Sequence, residues 1–290
     1  MTPTVYIVVG PTAVGKTKYA IQLAKKLKTE IISADARQCY QELNIGVARP
    51  SMEELAQVKH HFIASHSIND TVNAGVFEQY ALEKADQLLN QFGAAVMVGG
   101  TGLYIKAFEE GMDQIPAIDP AIRSQIQQDI ALKGIDWLQA QLQTMDPEYW
   151  AQADQGEQQN TQRLSRALEV VIGTGQSILR FQQQSKKHRP FNVQKIGLEM
   201  PREQLYDRIN QRVVEMVQMG LEQEVSALRP QFHLNALQTV GYQEWLPYFE
   251  GQQSKDAVIQ AIQQNTRHFA KRQMTWFKKD AEINWHQASS

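Results

Sequence analysis

Near the start of the chain stands Gly10-Pro11-Thr12-Ala13-Val14-Gly15-Lys16-Thr17, and no other feature limits the fold so strongly. It has the form G-x-x-x-x-G-K-[ST] of a phosphate-binding loop. Before it, Val5-Tyr6-Ile7-Val8-Val9 is a β-branched and aromatic run that reads as a buried parallel strand. After it, Lys18 to Lys28 has helical spacing, with Tyr19, Ala20, Leu23, Ala24 and Leu27 on one face. The motif therefore sits between a strand and a helix, as its chemistry requires. The two glycines let the backbone turn its N–H groups inward at an anion, and the helix N-terminus adds partial positive charge. Lys16 reaches the terminal phosphate and the Thr17 hydroxyl is placed to ligate Mg²⁺. The loop implies a di- or triphosphate ligand and does not by itself specify ATP.

Two further strands are expected. Thr29 to Ser33 runs into Ala34-Asp35-Ala36-Arg37-Gln38, and Ala94 to Val98 runs into Gly99-Gly100-Thr101-Gly102-Leu103-Tyr104. Ligands of open α/β sheets bind beyond the carboxyl ends of the strands. Asp35 stands at such an end, with three readings open to it: Mg²⁺ ligand, general base or helix cap. The run ending at Val98 carries no Asp, where an ordinary P-loop NTPase would often place one.

Composition narrows the class. The chain has 290 residues with 42% hydrophobic content, enough for a real core with an insertion. Its 29 basic and 31 acidic residues leave a formal charge of −2, so any nucleic-acid site must come from local clustering of Lys and Arg. A single cysteine, Cys39, excludes a disulfide framework and fits a reducing compartment. The N-terminal residues lack a signal-peptide pattern, and no apolar run reaches the roughly 20 residues that span a bilayer. A cytoplasmic protein without a membrane segment is expected. Nothing demands a dimer, so a monomer is expected too.

Residues 116–190 read as a helical insertion. Pro116 and Pro120 open it, and Ile122, Ile126 and Ile130 recur at helical spacing, as do Trp137, Leu138 and Leu142. The polar stretch Gln152 to Gln162 reads as a loop. Beyond it Arg163 and Arg166 share one helix face, a local surface for phosphates. Lys186-Lys187-His188-Arg189 is a basic run, and Val193 to Leu198 is a strand that returns to the core. A long amphipathic helix is expected from Ala257 to Lys279, with Val258, Ile259, Ile262, Phe269 and Trp276 in the core. Arg267, Lys271, Arg272, Lys278 and Lys279 form its basic complement. His60, His61 and His66 lack acidic or cysteine partners at metal-binding spacing and are expected to be structural.

In order along the chain, these motifs resemble the tRNA dimethylallyltransferase (tRNA isopentenyltransferase) family of bacterial type. Gly10 to Thr17 is similar to G-P-T-A-x-G-K-T, and Ser33 to Tyr40 resembles S-A-D-S-R-Q-hydrophobic-Y. Ile45 to Pro50 resembles I-G-T-A-K-P, His60-His61-Phe62 resembles H-H-[LF], and Gly99 to Tyr104 is similar to G-G-T-G-L-Y. Gln162 to Glu169 resembles N-R-x-x-R-A-L-E, and Leu205 to Val213 is similar to L-Y-x-R-I-x-x-R-V. Gly241 to Glu244, and Thr266-Arg267 through Trp276-Phe277, resemble the C-terminal motifs. Ala36 stands where the family has Ser, Val47 for Thr, Arg49 for Lys, and Cys39 for an aliphatic residue.

The resemblance implies an α/β fold, with a P-loop nucleotide-kinase-like parallel sheet core at 1–115 and 191–290. An all-helical insertion domain at 116–190 would contact tRNA. It implies transfer of the dimethylallyl group from dimethylallyl diphosphate to N6 of adenosine 37, 3′ of the anticodon. The substrates would be tRNAs reading codons that begin with U, and Mg²⁺ the cofactor. Asp35, Thr101 and Arg212 would be catalytic. Gly10, Pro11, Thr12, Ala13, Val14, Gly15, Lys16, Thr17 and Arg208 would bind the diphosphate. The tRNA anticodon stem-loop would meet Asp35, Ala36, Arg37, Gln38, Thr101, Arg123, Gln162, Arg163, Leu164, Ser165 and Arg166, and the basic run Lys186-Lys187-His188-Arg189 would be a further tRNA contact. Three rivals share parts of the pattern: a P-loop small-molecule kinase, an isopentenyltransferase acting on free adenylate, and a non-enzymatic RNA-binding module. The Ser-Ala-Asp-x-Arg-Gln and Gly-Gly-Thr-Gly-Leu-Tyr motifs speak against the first. The basic helical insertion speaks against the second, and the intact phosphate loop against the third.

Overall fold

The computed structural model describes residues 3–182 and 186–288. In chain order the first elements are β1 (Thr4–Val9), α1 (Lys16–Leu27), β2 (Ile31–Ser33), α2 (Met52–Gln57) and β3 (His60–His61). Then come α3 (Ala74–Phe92), β4 (Ala94–Val98) and α4 (Gly102–Glu110). Four helices follow: α5 (Pro120–Met145), α6 (Pro147–Gln152), α7 (Gln155–Gln158) and α8 (Thr161–Thr174). The chain then forms β5 (Asn192–Glu199), α9 (Arg202–Gln218), α10 (Leu221–Ala227), α11 (Leu246–Phe249), α12 (Lys255–Phe277) and β6 (Ile283–Gln287).

Six strands form one sheet in the order β3-β2-β4-β1-β5-β6, and every neighbouring pair is parallel. Val5, Ile7, Val8 and Val9 of β1 are buried, as a central strand covered on both faces requires. α1 packs Ala20, Ile21 and Ala24 into a cluster with Val8, Val96 and Ile209. Elsewhere in this core Phe77 of α3 stacks on Tyr104 of α4, centroids 4.5 Å apart. Each such large apolar side chain contributes about 1.5–3 kcal/mol by leaving water. β3 and β6 are edge strands that the sequence does not announce, because both are short and carry polar residues (His60-His61, Asn284, His286).

Two compact units result, Met1–Gly111 with Lys187–Ser290, and Met112–Lys186. The breaks fall at 112 and 187 rather than at 116 and 191 because departing and returning strands of chain are tied at one point. Gly111 ends α4 at φ 84°, and the Lys187 N–H donates to the Glu110 carbonyl at 2.9 Å.

Within the second unit α5 is two helical runs meeting at Gly134, whose φ of 76° is non-helical. Ile126, Leu138 and Leu142 of α5 are buried with Tyr149, Leu164 and Leu168. The expected loop at 152–162 contains α7, capped by the Asp154 side chain on the Glu157 N–H. A cap so close to a polar run supplies the hydrogen bonds that the composition hides. Asn160 caps α8 in the same way through the Arg163 N–H, 3.2 Å.

Candidate active site

Strand register explains why the separate motifs meet. Val8 of β1 pairs with Val98 of β4, which pairs with Ser33 of β2. One or two residues later each strand leaves the sheet: β1 into Gly10, β2 into Asp35 and β4 into Gly99. Cross-links keep the exits together, with Ala34 N donating to Val98 O at 2.7 Å and Gly99 N to Val8 O at 3.2 Å. The result is a cleft whose lining includes Lys16, Thr17, Ser33, Asp35, Gln38 and His60.

The phosphate loop turns sharply at its first residue. Gly10 has φ 145°, and a Cβ there would stand 2.5 Å from the Leu198 carbonyl of β5, so only glycine fits. Pro11, Ala13 and Val14 are buried, which leaves their backbone as the part that a ligand can use. Lys16 donates from Nζ to the carbonyls of Gly10 (3.0 Å) and Pro11 (2.8 Å). Loss of water around its ammonium lowers its pKa to about 7; the nearby Asp35 carboxylate opposes this and Arg212 reinforces it. α9 buries Leu205, Ile209 and Val213 and turns Arg208 and Arg212 away from that core. A Cβ on Gly15 would lie 3.9 Å from Arg208 Nη2, so this guanidinium stands over the loop. Burial first, and Arg208 second, make Arg212 hold its proton less tightly than usual.

Asp35 is held by its own turn. Its Oδ1 accepts the N–H groups of Arg37 (2.9 Å) and Gln38 (3.1 Å), which leaves Oδ2 for the cleft. No helix starts here, so Asp35 closes a turn and not a helix, and because this uses one oxygen the other two readings stay open to it. The Thr101 hydroxyl accepts the Ala36 N–H at 3.0 Å, and the Thr101 N–H donates to Ala34 O at 3.2 Å. Gln38 spends its side-chain amide donors on Val47 O (3.2 Å) and Ala48 O (3.0 Å). Cys39 is fully buried, and burial pushes its thiol up to about 12, so it packs like the aliphatic residue it replaces.

Among the described residues no cluster of three His, Cys, Asp or Glu side chains could hold a metal. His61 Nε2 is 2.5 Å from Glu30 Oε2, His60 Nδ1 is 2.8 Å from Val58 O, and His66 Nδ1 is 2.8 Å from Ser65 Oγ. The cleft nevertheless offers hydroxyl and carboxylate oxygens from Thr17, Ser33 and Asp35. Such hard donors suit Mg²⁺, which takes one or two protein oxygens beside phosphate and water.

Several expected contacts lie elsewhere. Leu164 is 0% exposed in the core of the second unit, so its side chain cannot touch RNA; it points inward because its neighbours Arg163 and Arg166 occupy the outer arc of α8. Gln162 and Arg163 are exposed, while Ser165 and Arg166 are half-buried. Arg163 stands 3.8 Å from Glu157, and Arg123 (3.1 Å) and Arg166 (2.9 Å) both pair with the buried Glu169. Arg189 is structural rather than available to RNA. It pairs with Glu78 at 2.9 Å and donates to the carbonyls of Ala107 and Phe108, closing the C-terminal end of α4. In α12 the buried face is Val258, Ile262, Ala270, Gln273 and Phe277. Phe269 and Trp276, expected in the core, are each 39% exposed because they sit off that stripe. Trp276 lines a groove with His268, Lys271, Arg272, Thr275 and Lys279, and the Arg272 guanidinium lies over the Phe269 ring.

One residue at the site went unread in the sequence. Gln273 links the phosphate loop to Gly100, and the available signal was a polar residue on the apolar stripe between Ala270 and Phe277.

The sequence model of one family, described as IPP transferase, matches residues 38–280. A tRNA dimethylallyltransferase of Christiangramia forsetii is 49% identical over 278 residues, 96% of this chain and 91% of the relative. That of Cytophaga hutchinsonii is 43% identical over 281 residues, 97% of this chain and 91% of the relative. The crystal structure of a full-length tRNA isopentenylpyrophosphate transferase from Bacillus halodurans aligns with TM-score 0.71 at 33% identity, covering 99% of this chain and 90% of that one. A eukaryotic dimethylallyltransferase acting on tRNA aligns with TM-score 0.79 at 22% identity, covering 100% of this chain and 75% of that one, a likeness of fold.

Proposed function

The chain belongs to the IPP transferase family of tRNA dimethylallyltransferases, and from that premise we propose how its residues divide the reaction. The protein is a tRNA dimethylallyltransferase that prenylates adenosine 37 of tRNA. The donor is dimethylallyl diphosphate. The observation that carries the division of roles is the shared cleft: Asp35 lies beside Lys16 and Thr17, on loops leaving β2 and β1, the two strands that flank β4.

The backbone N–H groups from Ala13 to Thr17 cradle the diphosphate, with Lys16 swinging from its loop carbonyls to the terminal phosphate. Arg208 and Arg212 close on the outer oxygens, where a guanidinium binds bidentately. Thr17 would hold Mg²⁺, which when bound supplies added positive charge to the leaving group. The exocyclic amine of adenine is a poor nucleophile, since its lone pair is delocalised into the ring. As the new N6–carbon bond forms, the allylic carbon–oxygen bond breaks and its electron pair leaves on diphosphate. The N6 proton passes to Asp35 Oδ2. Developing charge on the diphosphate is met by donors already in place.

The adenosine must leave its stack to reach Asp35, as bases of single-stranded loops readily do. Asp35 to Gln38 and Thr101 border the cleft where it arrives. Arg123, Gln162, Arg163, Ser165 and Arg166 give the second unit a phosphate-binding surface, once their carboxylate partners yield to RNA. The groove of α12 adds bases beside the exposed Trp276 and Phe269, a pattern suited to single-stranded nucleic acid. We take the substrates to be tRNAs reading codons that begin with U, and the working form to be a cytoplasmic monomer. Among the described residues no helix is long and apolar enough to cross a membrane.

The test is incubation with unmodified tRNA, Mg²⁺ and dimethylallyl diphosphate, followed by nucleoside mass analysis. A dimethylallyl mass gain on the adenosine 3′ of the anticodon, without ATP, is expected. A gain on free AMP alone, or ATP hydrolysis with no gain, would overturn the assignment.

A further inference from the structure

The phosphate loop and the Asp35 turn leave different strands, yet the chemistry needs donor and acceptor in fixed register. A chain of hydrogen bonds joins them. Gln273 of α12 is 7% exposed. Its Oε1 accepts the Thr12 N–H at 2.8 Å and its Nε2 donates to the Gly100 carbonyl at 2.9 Å. One partner can only donate and the other only accept, so the amide has one orientation. Next to Gly100, Thr101 takes the Ala36 N–H on its hydroxyl, at 3.0 Å. The links therefore run Thr12, Gln273, Gly100, Thr101, Ala36, and end at the turn that holds Asp35.

Resting on the transferase reading above, we propose that Gln273 is a positioning residue that sets the distance between the diphosphate cradle and the Asp35 side of the cleft. Packing alone does not call for an amide here. Its neighbours on the buried stripe, Ala270 and Phe277, are apolar, and a Leu or Met would fill the same place. The amide is what the two backbone groups need. Gly100 shows how closely the link is fitted: a Cβ there would stand 2.1 Å from Gln273 Nε2, with Lys16 Nζ 3.8 Å away. Its φ lies outside the left-handed region, so alanine at 100 meets only the Gln273 side chain as an obstacle.

That obstacle provides the test, a double-mutant cycle read as kcat and KM on the full-length protein. Gln273→Ala should lower kcat by about tenfold or more, since a displacement on the order of 1 Å costs up to a hundredfold. KM for dimethylallyl diphosphate should stay within about threefold, because the cradle from Ala13 to Thr17 is intact. Gly100→Ala should give the same loss by expelling Gln273. In the Gln273→Ala background it should cost less than about threefold more, because the clash is gone. Gln273→Met, which keeps the packing and lacks both amide groups, gives the single-variant kcat reading should the smaller residue unfold the protein, and Gln273→Ser, too short to meet a Cβ at 100, then serves as the background for Gly100→Ala. The proposal is overturned if the Gln273 variant keeps wild-type kcat, or if Gly100→Ala costs as much in both backgrounds. Failure of the wild type to modify tRNA would instead strike the transferase reading.

Discussion

The hydroxyl of Thr101 accepts the backbone N–H of Ala36 at 3.0 Å, so the loop after β4 braces the turn that carries Asp35. The family has Ser at position 36, and here the backbone of Ala36 is what is held. Thr101→Val keeps the shape and removes the acceptor, leaving an N–H unsatisfied at a cost of about 1–3 kcal/mol. Transfer should fall about tenfold or more while Thr101→Ser retains most of it. Equal rates for the Val and Ser variants would show that the hydroxyl does not matter.

Asp35→Asn separates the turn from the chemistry. An Asn Oδ1 still accepts from Arg37 and Gln38, so the turn survives. The amide cannot take a proton from N6, and the transfer rate should drop about 10²–10⁴-fold. tRNA affinity, measured by filter binding, should change little. Retention of full single-turnover rate would remove Asp35 as the base.

Lys16 gives a pH signature. Its pKa is lowered to about 7 chiefly by desolvation, whereas a bound diphosphate favours the charged form and raises it again. Between pH 7 and the raised value the free protein lacks a proton that the complex holds. Binding should therefore take up a proton there, and donor affinity should fall as pH rises above about 7. Calorimetry at pH 8 in buffers of different ionisation enthalpy measures the uptake, and Lys16→Met should abolish it.

Arg212 is held at a cost to the free protein, being desolvated beside Arg208. Arg212→Gln should raise the melting temperature of the free protein and also raise KM for dimethylallyl diphosphate about tenfold or more. A variant with unchanged KM would remove Arg212 from the diphosphate clamp.

Neighbours on α8 should behave oppositely. Leu164→Ala empties a fully buried site and should destabilise by about 2–5 kcal/mol in denaturant unfolding. Arg163→Ala should leave stability nearly unchanged, weaken tRNA binding, and reduce the salt-dependence slope by about 1. An unchanged slope would show that Arg163 meets no phosphate.

Local sequence determined what local physics controls. Gly10 to Thr17 forms its loop because glycines, a preceding β-branched run and a following amphipathic stretch need only near neighbours to fold as they do. The strand Ala94–Val98 and the helix over 255–277 follow from the same short-range patterns. The strand-end position of Asp35 left three readings open, and only the family motifs chose between them and drew attention to Thr101. Which face of a helix lies inward is set by partners distant in the chain, and there reading failed: Phe269 and Trp276 lie outward, Leu164 inward, and Arg189 closes α4 instead of facing RNA. Gln273 is the sharpest case. Only the tertiary structure brings Thr12, 261 residues away in sequence, and Gly100, 173 away, to one amide. A hydrogen bond depends on separations in space that no local pattern of hydrophobicity encodes.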